Sequence, residues 1–473
     1  MYQLSGVDNL MIEGEKPAIP LHMSAAMLYD NRANPTGGIK LKRLRETLTH
    51  VVNQHFPILR CKLEELPLRL DKGYWVTDDN FDIQAHTRRV ALPTPKNWSA
   101  FYKLFGEFHA SPLTHDKPLW EIILVTGLDQ LKGIPPGSSA LFLKIHHAMM
   151  DGTTAMRLMR GLHSTESDPK APLLIERSPI SQTKAPDFHA PPWWMRYGTA
   201  WRHTIERPLD LTAMAAKMLP HLLPGRASSH TQTKMTVPKA HFNQPLSPDR
   251  VIGHVRMSLP KLRKITERYH CTLNDVALCV VGGALRNYLL SEQVLPDESL
   301  VAAMPINVRH EKRDGDIGNE IGMARIHMHT QSNDIEQRLQ HIIASTHHSK
   351  STHGKDHPNL LMNLIDDIHP AIILVLSDWL VASGYIDRMP PLVNTIVSNV
   401  PGLNKNAYIQ GSKLVDYLGF GPLAPGVALF HTISSTTRHL NISFTSTAEL
   451  CGDGHQYCKA LDNSYKALLA ALR

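Results

Sequence analysis

An apolar run that ends at two adjacent histidines constrains the fold of this chain more than any other stretch. Residues 140–145 read ALFLKI, which predicts a buried strand from Ala140 to His146. Residues 146–152 then read HHAMMDG, and residues 153–160 predict a helix with a threonine near its start. A strand, a tight turn and a helix in this order hold an imidazole in one orientation, as a general base requires. A purely structural histidine pair beside a turn is the alternative interpretation.

Length and composition indicate a folded protein of two or more lobes. The chain has 473 residues, more than one ordinary hydrophobic core accommodates. Because 42% of the residues are hydrophobic and 20% are charged, the composition excludes a disordered chain. The net charge of +7 suits an anionic membrane surface or a phosphorylated substrate. No basic-aromatic nucleic-acid motif appears, so we expect no nucleic-acid partner. The first residues lack the pattern of a signal peptide, and no apolar stretch is long enough to span a membrane.

Cysteines and the remaining histidines predict neither a disulfide framework nor a metal site. The cysteine count of five is odd and the spacing is scattered, which favours a reducing cytosol. The pair His347-His348 has no Asp-Gly after it and no apolar run before it. With His353 and His357 it forms a cluster without cysteine or carboxylate support, so no metal is expected.

Changes in amino-acid composition along the sequence divide the chain into three parts. We predict an N-terminal lobe at 1–163, a proline-rich linker at 164–248 and a C-terminal lobe at 249–473. Both lobes mix helices and strands, which predicts an α/β (α+β) fold. Within the linker, Trp193 to Ile205 combines aromatic and basic residues. This segment is either an interfacial lipid anchor or a helix whose aromatics pack onto the lobes.

One helix of the second lobe is apolar on most of its faces. Leu273 to Leu290 should therefore be buried, and Asn274 and Asp275 lie at its start. Both residues are suited to capping this helix, although Asn274 could also donate to an oxyanion. The small residues Gly282, Gly283 and Ala284 allow either close helix packing or space for a lipid chain.

Three further motifs narrow the interpretation of HHxxxDG. They are Pro118-Leu119-Trp120-Glu121, Asn274-Asp275-Val276 and Ser398-Asn399-Val400-Pro401-Gly402, and the helix end His55-Phe56-Pro57-Ile58-Leu59-Arg60 adds to the resemblance. Together with HHxxxDG they make nearly the whole chain resemble the bacterial wax ester synthase/acyl-CoA:diacylglycerol acyltransferases. HHxxxDG alone is shared with chloramphenicol acetyltransferases, carrier-protein condensation domains and plant acyltransferases. The resemblance implies two chloramphenicol-acetyltransferase-like lobes with the active-site channel between them.

The resemblance also implies roles for individual residues. His147 would be the general base and His146 a supporting residue, with Gly152 completing the motif. Asp151 would hold the turn, and Arg309 is our candidate for its partner. Asn274 would assist the oxyanion or fix His147. Asp275 would be structural, and Asn399 would shape a turn beside the channel.

The implied reaction moves a fatty acyl group from acyl-CoA to a long-chain fatty alcohol, and to diacylglycerol as a second acceptor. Acyl-CoA is then a substrate, and no cofactor is expected. The implied location is cytoplasmic, with peripheral attachment to the inner membrane or to lipid inclusions. Two alternatives are a lipid-surface binding protein whose site has decayed and a condensation-type enzyme that uses carrier-protein thioesters. The complete set of His147, Asp151 and Gly152 disfavours the first, and the lack of a carrier domain in this sequence disfavours the second.

Overall fold

The structure is a computed structural model that describes residues 2–175, 188–189, 191–206, 237–307, 321–352, 368–403 and 405–471. The helices are α1 (Gly6–Gly14), α2 (Leu41–Gln54), α3 (Trp98–Ala110), α4 (Gly152–Gly161), α5 (193–206), α6 (Leu259–Tyr269), α7 (Leu273–Ser291), α8 (Ile335–Thr352), α9 (Pro370–Ala382), α10 (Tyr385–Arg388), α11 (Ala448–Cys451) and α12 (His455–Ala471). The strands are β1 (Tyr2–Gln3), β2 (His22–Asp30), β3 (Cys61–Glu64), β4 (Tyr74–Thr77), β5 (Thr87–Ala91), β6 (Trp120–Thr126), β7 (Ser139–His146), β8 (Val251–Ser258), β9 (Val301–Asn307), β10 (Ile321–His327), β11 (Thr395–Val400), β12 (Tyr408–Ile409), β13 (Ser412–Phe420), β14 (Leu429–Ser435) and β15 (His439–Ser446). Short 3-10 helices cover Pro57–Arg60, Pro67–Arg69 and Ile83–His86. The predicted mixture of helices and strands is confirmed.

The first large sheet carries the histidine motif on a central strand. Its six strands run in the order β12-β13-β2-β7-β6-β5, and every residue of β7 is buried. β7 pairs antiparallel with β2 on one side and β6 on the other. Both neighbours satisfy its backbone groups, which is why so apolar a segment is stable as a strand. The end of β7 is therefore a rigid support.

β12 and β13 belong to the first sheet although they come late in the chain. β13 pairs antiparallel with β2, with a register shift between Leu414 and Asp416. Asp416 is fully buried there, and Arg256 on β8 donates to it from Nε at 2.8 Å. β8 lies at the edge of the other large sheet, so this ion pair joins the two sheets. The proposed boundaries at 163/164 and 248/249 remain predictions.

The second large sheet has the order β10-β9-β11-β14-β15-β8 and shares one hydrophobic core with α7 and α12. α7 is buried along most of its length, as its composition predicts. A Cβ on Gly282 would lie 2.6 Å from the carbonyl oxygen of Met328, and one on Gly283 would collide with Ser464 Oγ. These glycines therefore serve close packing, and the alternative of space for a lipid chain beside them is wrong.

Several predicted elements differ from the structure at their bounds. The sequence predicts a helix from Ile39 to His55, which is α2, and a strand from Ile83 to Val90, which begins instead with a 3-10 helix. The helix predicted after the histidine motif, with a threonine near its start, is capped by Asp151. The sequence also predicts helices from Leu360 to Ser383 and from Leu211 to Leu219. The first begins at Pro370 in the described part of the chain, and the second lies outside the described residues.

All five cysteines are free thiols, as their spacing predicted. Within the described ranges, each helix is too short or too polar to cross a bilayer.

Candidate active site

The HHxxxDG turn is fixed by main-chain hydrogen bonds at the end of β7. The His146 N–H donates to the Leu119 carbonyl at 2.9 Å, and the His147 N–H donates to the Leu21 carbonyl at 3.0 Å. The Met149 N–H closes the turn by donating to the His146 carbonyl at 3.0 Å. Segments before β2 and β6 thus hold both histidines, so their positions follow from the sheet itself.

The two histidines occupy different environments. His146 is completely buried, whereas His147 is partly exposed. The His146 ring accepts a hydrogen bond at Nδ1 from the Ala148 N–H at 3.1 Å. Because a neutral imidazole that accepts at one nitrogen carries its proton on the other, the His146 proton lies on Nε2. Of the pair, His147 is the one with exposed surface.

Glu15, just after α1, faces the His146 ring. Its Oε2 lies 3.6 Å from His146 Nε2 and 3.2 Å from His115 Nε2. Its Oε1 accepts from the Leu21 N–H at 3.0 Å. Burial opposes ionisation of this carboxyl, but the two imidazole edges and the Leu21 N–H outweigh burial and hold the pKa of Glu15 well below its ordinary value. A carboxylate therefore lies directly behind the motif.

Asp151 begins α4. Its Oδ1 accepts from the Thr154 N–H at 2.7 Å, and the Thr153 hydroxyl donates to the same carboxylate at 2.9 Å. The aspartate of the motif is thus an N-cap, with its charge at the positive end of the helix. Gly152 is exposed, and a Cβ there would meet no atom of the described residues within 4 Å. The side of the turn at Gly152 is open.

Three of the motifs singled out in the sequence lie beside this turn or beside α4. Trp120 is buried, and its Nε1–H donates to the Leu59 carbonyl at 2.8 Å, joining two of them. Leu119, beside Trp120, supplies the carbonyl for the His146 N–H. Arg160 on α4 places Nη2 at 3.4 Å from the carbonyl oxygens of Pro401 and Gly402. The proline-glycine motif of the second half of the chain therefore abuts the helix that follows Asp-Gly.

Asn274 and Asp275 differ in what they do at the start of α7. Thr272 and Asp275 form a reciprocal capping box, and the Thr346 hydroxyl donates to Asp275 Oδ1 at 2.8 Å. Asn274 takes no part in that cap. Its amide nitrogen lies 3.2 Å from Met304 Sδ, and among the described residues its Oδ1 has no hydrogen-bond partner. Its assignment to the oxyanion stays a prediction.

The remaining predicted residues are not gathered at the turn by any described contact. Arg309, the proposed partner of Asp151, lies outside the described residues. Asn399 is exposed near the end of β11. The sequence analysis did not single out Glu15 or His115, because neither belongs to a recurring pattern. Over the part of the chain that is described, no group of three or more His, Cys, Asp or Glu side chains is placed to hold a metal ion.

Comparison with known proteins identifies this architecture. Residues 4–277 match the model of the wax ester synthase/diacylglycerol acyltransferase catalytic domain, and residues 317–469 match the C-terminal domain of the same proteins. A "putative diacylglycerol O-acyltransferase" of Mycobacterium tuberculosis is 29% identical, over 99% of this chain and 90% of the relative.

Two solved structures share the fold. The wax ester synthase/diacylglycerol acyltransferase from Marinobacter aquaeolei VT8 superposes with a TM-score of 0.68 at 20% identity, covering 99% of each chain. A starter condensation domain of rhizomide synthetase, bound to C8-CoA and Leu-SNAC, superposes with a TM-score of 0.54 at 13% identity, covering 100% of this chain and 94% of that one. The two-lobed fold and the enzyme class that the motifs implied are confirmed. The chain belongs to the wax ester synthase/diacylglycerol acyltransferase family and is an acyltransferase.

Proposed function

We propose that this acyltransferase moves a fatty acyl group from acyl-CoA to a long-chain alcohol or to diacylglycerol, with His147 as the general base. The observation that carries the proposal is the contrast within the motif, where His146 is sealed and His147 is held at a partly exposed position. The names of the relatives from Marinobacter and Mycobacterium support the choice of acceptors. The proposal includes no metal and no cofactor.

The chemistry explains why one imidazole suffices. An alcohol is a poor nucleophile, and a base that removes its proton as the C–O bond forms accelerates such a step about 10²–10⁴-fold. The hydroxyl oxygen attacks the thioester carbonyl and His147 takes the proton. The tetrahedral intermediate then collapses, the C–S bond breaks, and the imidazolium returns its proton to the departing thiolate. The products are an ester and free CoA thiol.

The negative oxygen of the intermediate needs a donor, which typically contributes a few kcal/mol to transition-state stabilisation. We assign this role to Asn274, at the start of α7, because Thr272 and Asp275 already cap the helix. The Asn274 amide is thereby left for another partner. Its contact with the Met304 thioether is a weak one that a substrate oxygen can replace.

The test is acyl transfer by His147→Ala, measured as thiol release from palmitoyl-CoA with hexadecanol or with a diacylglycerol. We expect a loss of about 10²–10⁴-fold with unchanged acyl-CoA binding. His455→Ala is the matched control, because His455 is exposed on α12. Near-normal turnover by His147→Ala would eliminate the base assignment, and the ratio of the two wild-type rates decides between wax ester and triacylglycerol.

The acceptors are lipids, and we propose that the protein meets them at a surface made by α5 and α9. On α9 the apolar residues Ile372, Val375 and Trp379 are 57%, 67% and 53% exposed. They lie at helical spacing on one face. On α5, Trp193 and Trp201 are 71% and 72% exposed. Of the two alternatives for this segment, packing of its aromatics onto the lobes does not hold for these two tryptophans.

Polar contacts join both helices to the rest of the protein. Lys16, beside Glu15, pairs with Asp378 on α9 at 2.6 Å. His203 on α5 binds Asp71 at 2.7 Å, and α9 contacts the 3-10 helix Pro67–Arg69 near it. Both helices therefore expose apolar side chains while polar contacts attach them to the rest of the protein, as expected of an interfacial anchor.

Flotation with vesicles of equal parts phosphatidylcholine and phosphatidylglycerol tests the surface. Replacing Val375 and Trp379 together by serine should weaken binding more than about tenfold, since each buried side chain is worth about 1.5–3 kcal/mol. Leu290→Ser is the control, because Leu290 is 47% exposed at the end of α7. Equal flotation of both variants and the wild type would contradict the assignment.

A further inference from the structure

We propose that Glu15 is a positioning residue for the general base, acting on His147 through His146 and through Leu21. The inference rests on the proposed role of His147 and adds to it the group that fixes that residue. It follows from the two separate tasks of the two carboxylate oxygens of Glu15.

The first oxygen acts on the main chain. Oε1 accepts from the Leu21 N–H at 3.0 Å, and the carbonyl of Leu21 accepts from the His147 N–H at 3.0 Å. The two bonds place one residue between the Glu15 carboxylate and the backbone of the proposed base. β2 begins at the next residue, so this connection secures the end of the strand pair just where the motif turns away.

The second oxygen acts on the imidazoles. Oε2 lies 3.2 Å from His115 Nε2 and 3.6 Å from His146 Nε2. The Ala148 N–H occupies Nδ1 of His146, so the ring proton points toward the carboxylate. The Glu15 side chain is only 10% exposed, and this attraction is therefore little screened by water. The carboxylate favours one tautomer and one orientation of the buried histidine next to the base.

A carboxylate is the group that this site requires. It accepts at both oxygens and donates at neither, which matches the Leu21 N–H at Oε1 and the Nε2–H of His146 on the side of Oε2. A glutamine of the same shape would direct its amide N–H₂ at either the Leu21 N–H or the His146 Nε2–H. Glu15→Gln therefore conserves volume and removes the function that we assign.

The experiment compares Glu15→Gln with Glu13→Gln. Glu13 is a carboxylate in the last turn of α1, two residues before Glu15, and its side chain is 3% exposed and faces Arg69 at 3.5 Å rather than the motif. We expect kcat of Glu15→Gln to fall about tenfold to a hundredfold, with the KM for acyl-CoA within about threefold of wild type. Glu13→Gln should keep its kcat within about threefold of wild type. A kcat within threefold of wild type for Glu15→Gln, or equal losses in the two variants, would overturn the proposal.

A measurement on the unaltered protein covers the case in which Glu15→Gln does not fold. Nitrogen-15 NMR of histidine-labelled protein, assigned by comparison with His146→Asn, should show His146 with its proton on Nε2. A proton on Nδ1 instead would overturn the proposal. The proposed function fails separately, through an active His147→Ala, so an inactive His147→Ala with a fully active Glu15→Gln rejects the role of Glu15 alone.

Discussion

Acidification should unfold this protein through its buried histidines. His22, His109, His163 and His431 are each at most 1% exposed. Burial lowers the pKa of His109 and His431 to about 3 and that of His163 to about 4, and it holds the pKa of His22 well below its ordinary value. Burial in the folded protein therefore disfavours protonation of all four rings.

Their partners suit the neutral ring. His163 contacts the Met159 carbonyl at Nδ1 (2.6 Å) and the Tyr29 hydroxyl at Nε2 (2.9 Å). The positive charges of Lys144 and Arg250 further disfavour a second proton on His109. Protonation in place would thus put an unpaired charge in the core, which is why unfolding takes up the protons instead.

The direction and size of the effect follow from linkage. In the unfolded chain each histidine titrates near 6.5, so below that pH the unfolded chain binds more protons and stability falls. Each group contributes a slope that approaches about 1.4 kcal/mol per pH unit, and four give about 5 kcal/mol per unit near pH 5. Total stabilities are about 5–15 kcal/mol, so one or two pH units should be decisive.

Two carboxyls near the site change the free energy of unfolding in opposite directions, and only at pH values below those at which the histidines titrate. Burial raises the pKa of Glu13, so Glu13 takes up its proton first in the folded state and opposes acid unfolding. Glu15 has a lowered pKa, and its contribution is lost as the pH falls below the ordinary range of a carboxyl. Between pH 6.5 and 5 both carboxyls are mostly ionised in the unfolded chain, so the histidines should dominate there.

Guanidinium unfolding followed by tryptophan fluorescence at several pH values between 7.5 and 5 measures the slope. His163→Gln should reduce the slope by about one proton, or about 1.4 kcal/mol per pH unit. His455→Gln, at an exposed position, should leave it unchanged. A stability that stays flat from pH 6.5 to 5, or the same change of slope in both variants, would refute the reasoning.

Three substitutions test the support of the site by the same unfolding assay. Asp151→Ala should cost about 0.5–2 kcal/mol by removing the α4 cap, whereas Asp151→Asn should retain most of it; equal losses would contradict the capping role. Asp416→Asn should cost about 3 kcal/mol because it leaves Arg256 without its buried partner, and an unchanged midpoint would count against the ion pair between sheets. Gly402→Ala should destabilise by more than about 3 kcal/mol, since its Cβ would collide with the Ser435 carbonyl oxygen of β14, while Gly152→Ala, facing open space, should be near neutral.

The sequence predicts best where one strand carries its own signal. β7 is rich in large apolar residues and is buried on both faces, so its composition alone indicates a strand. β2 reads HMSAAMLYD, with few residues that favour strands, and was not predicted. It is extended because β7 and β13 pair with both of its edges, a tertiary effect that local propensity does not carry.

The predicted site shows the same limit. His146, His147, Asp151 and Gly152 follow from one spacing pattern. They are close in sequence, so they lie near one another in any fold of the chain. Glu15 is one carboxylate among the 43 acidic residues of the chain, and nothing in its neighbours marks it. It becomes visible only when the end of α1 is placed against the start of β2, which brings its carboxylate to the Leu21 N–H and the His146 ring.

The end of α1 lies between the two parts of the proposed mechanism. Glu15 faces His146, and the next residue, Lys16, pairs with Asp378 on α9. If the apolar face of α9 rests on lipid, then Lys16 and Glu15 connect this anchoring helix to His146, the residue beside the proposed base. An alcohol or diacylglycerol is poorly soluble in water, so its transfer costs least when the base lies close to the lipid from which it comes. The two proposals therefore support each other physically, although the vesicle and Glu15→Gln experiments test them independently.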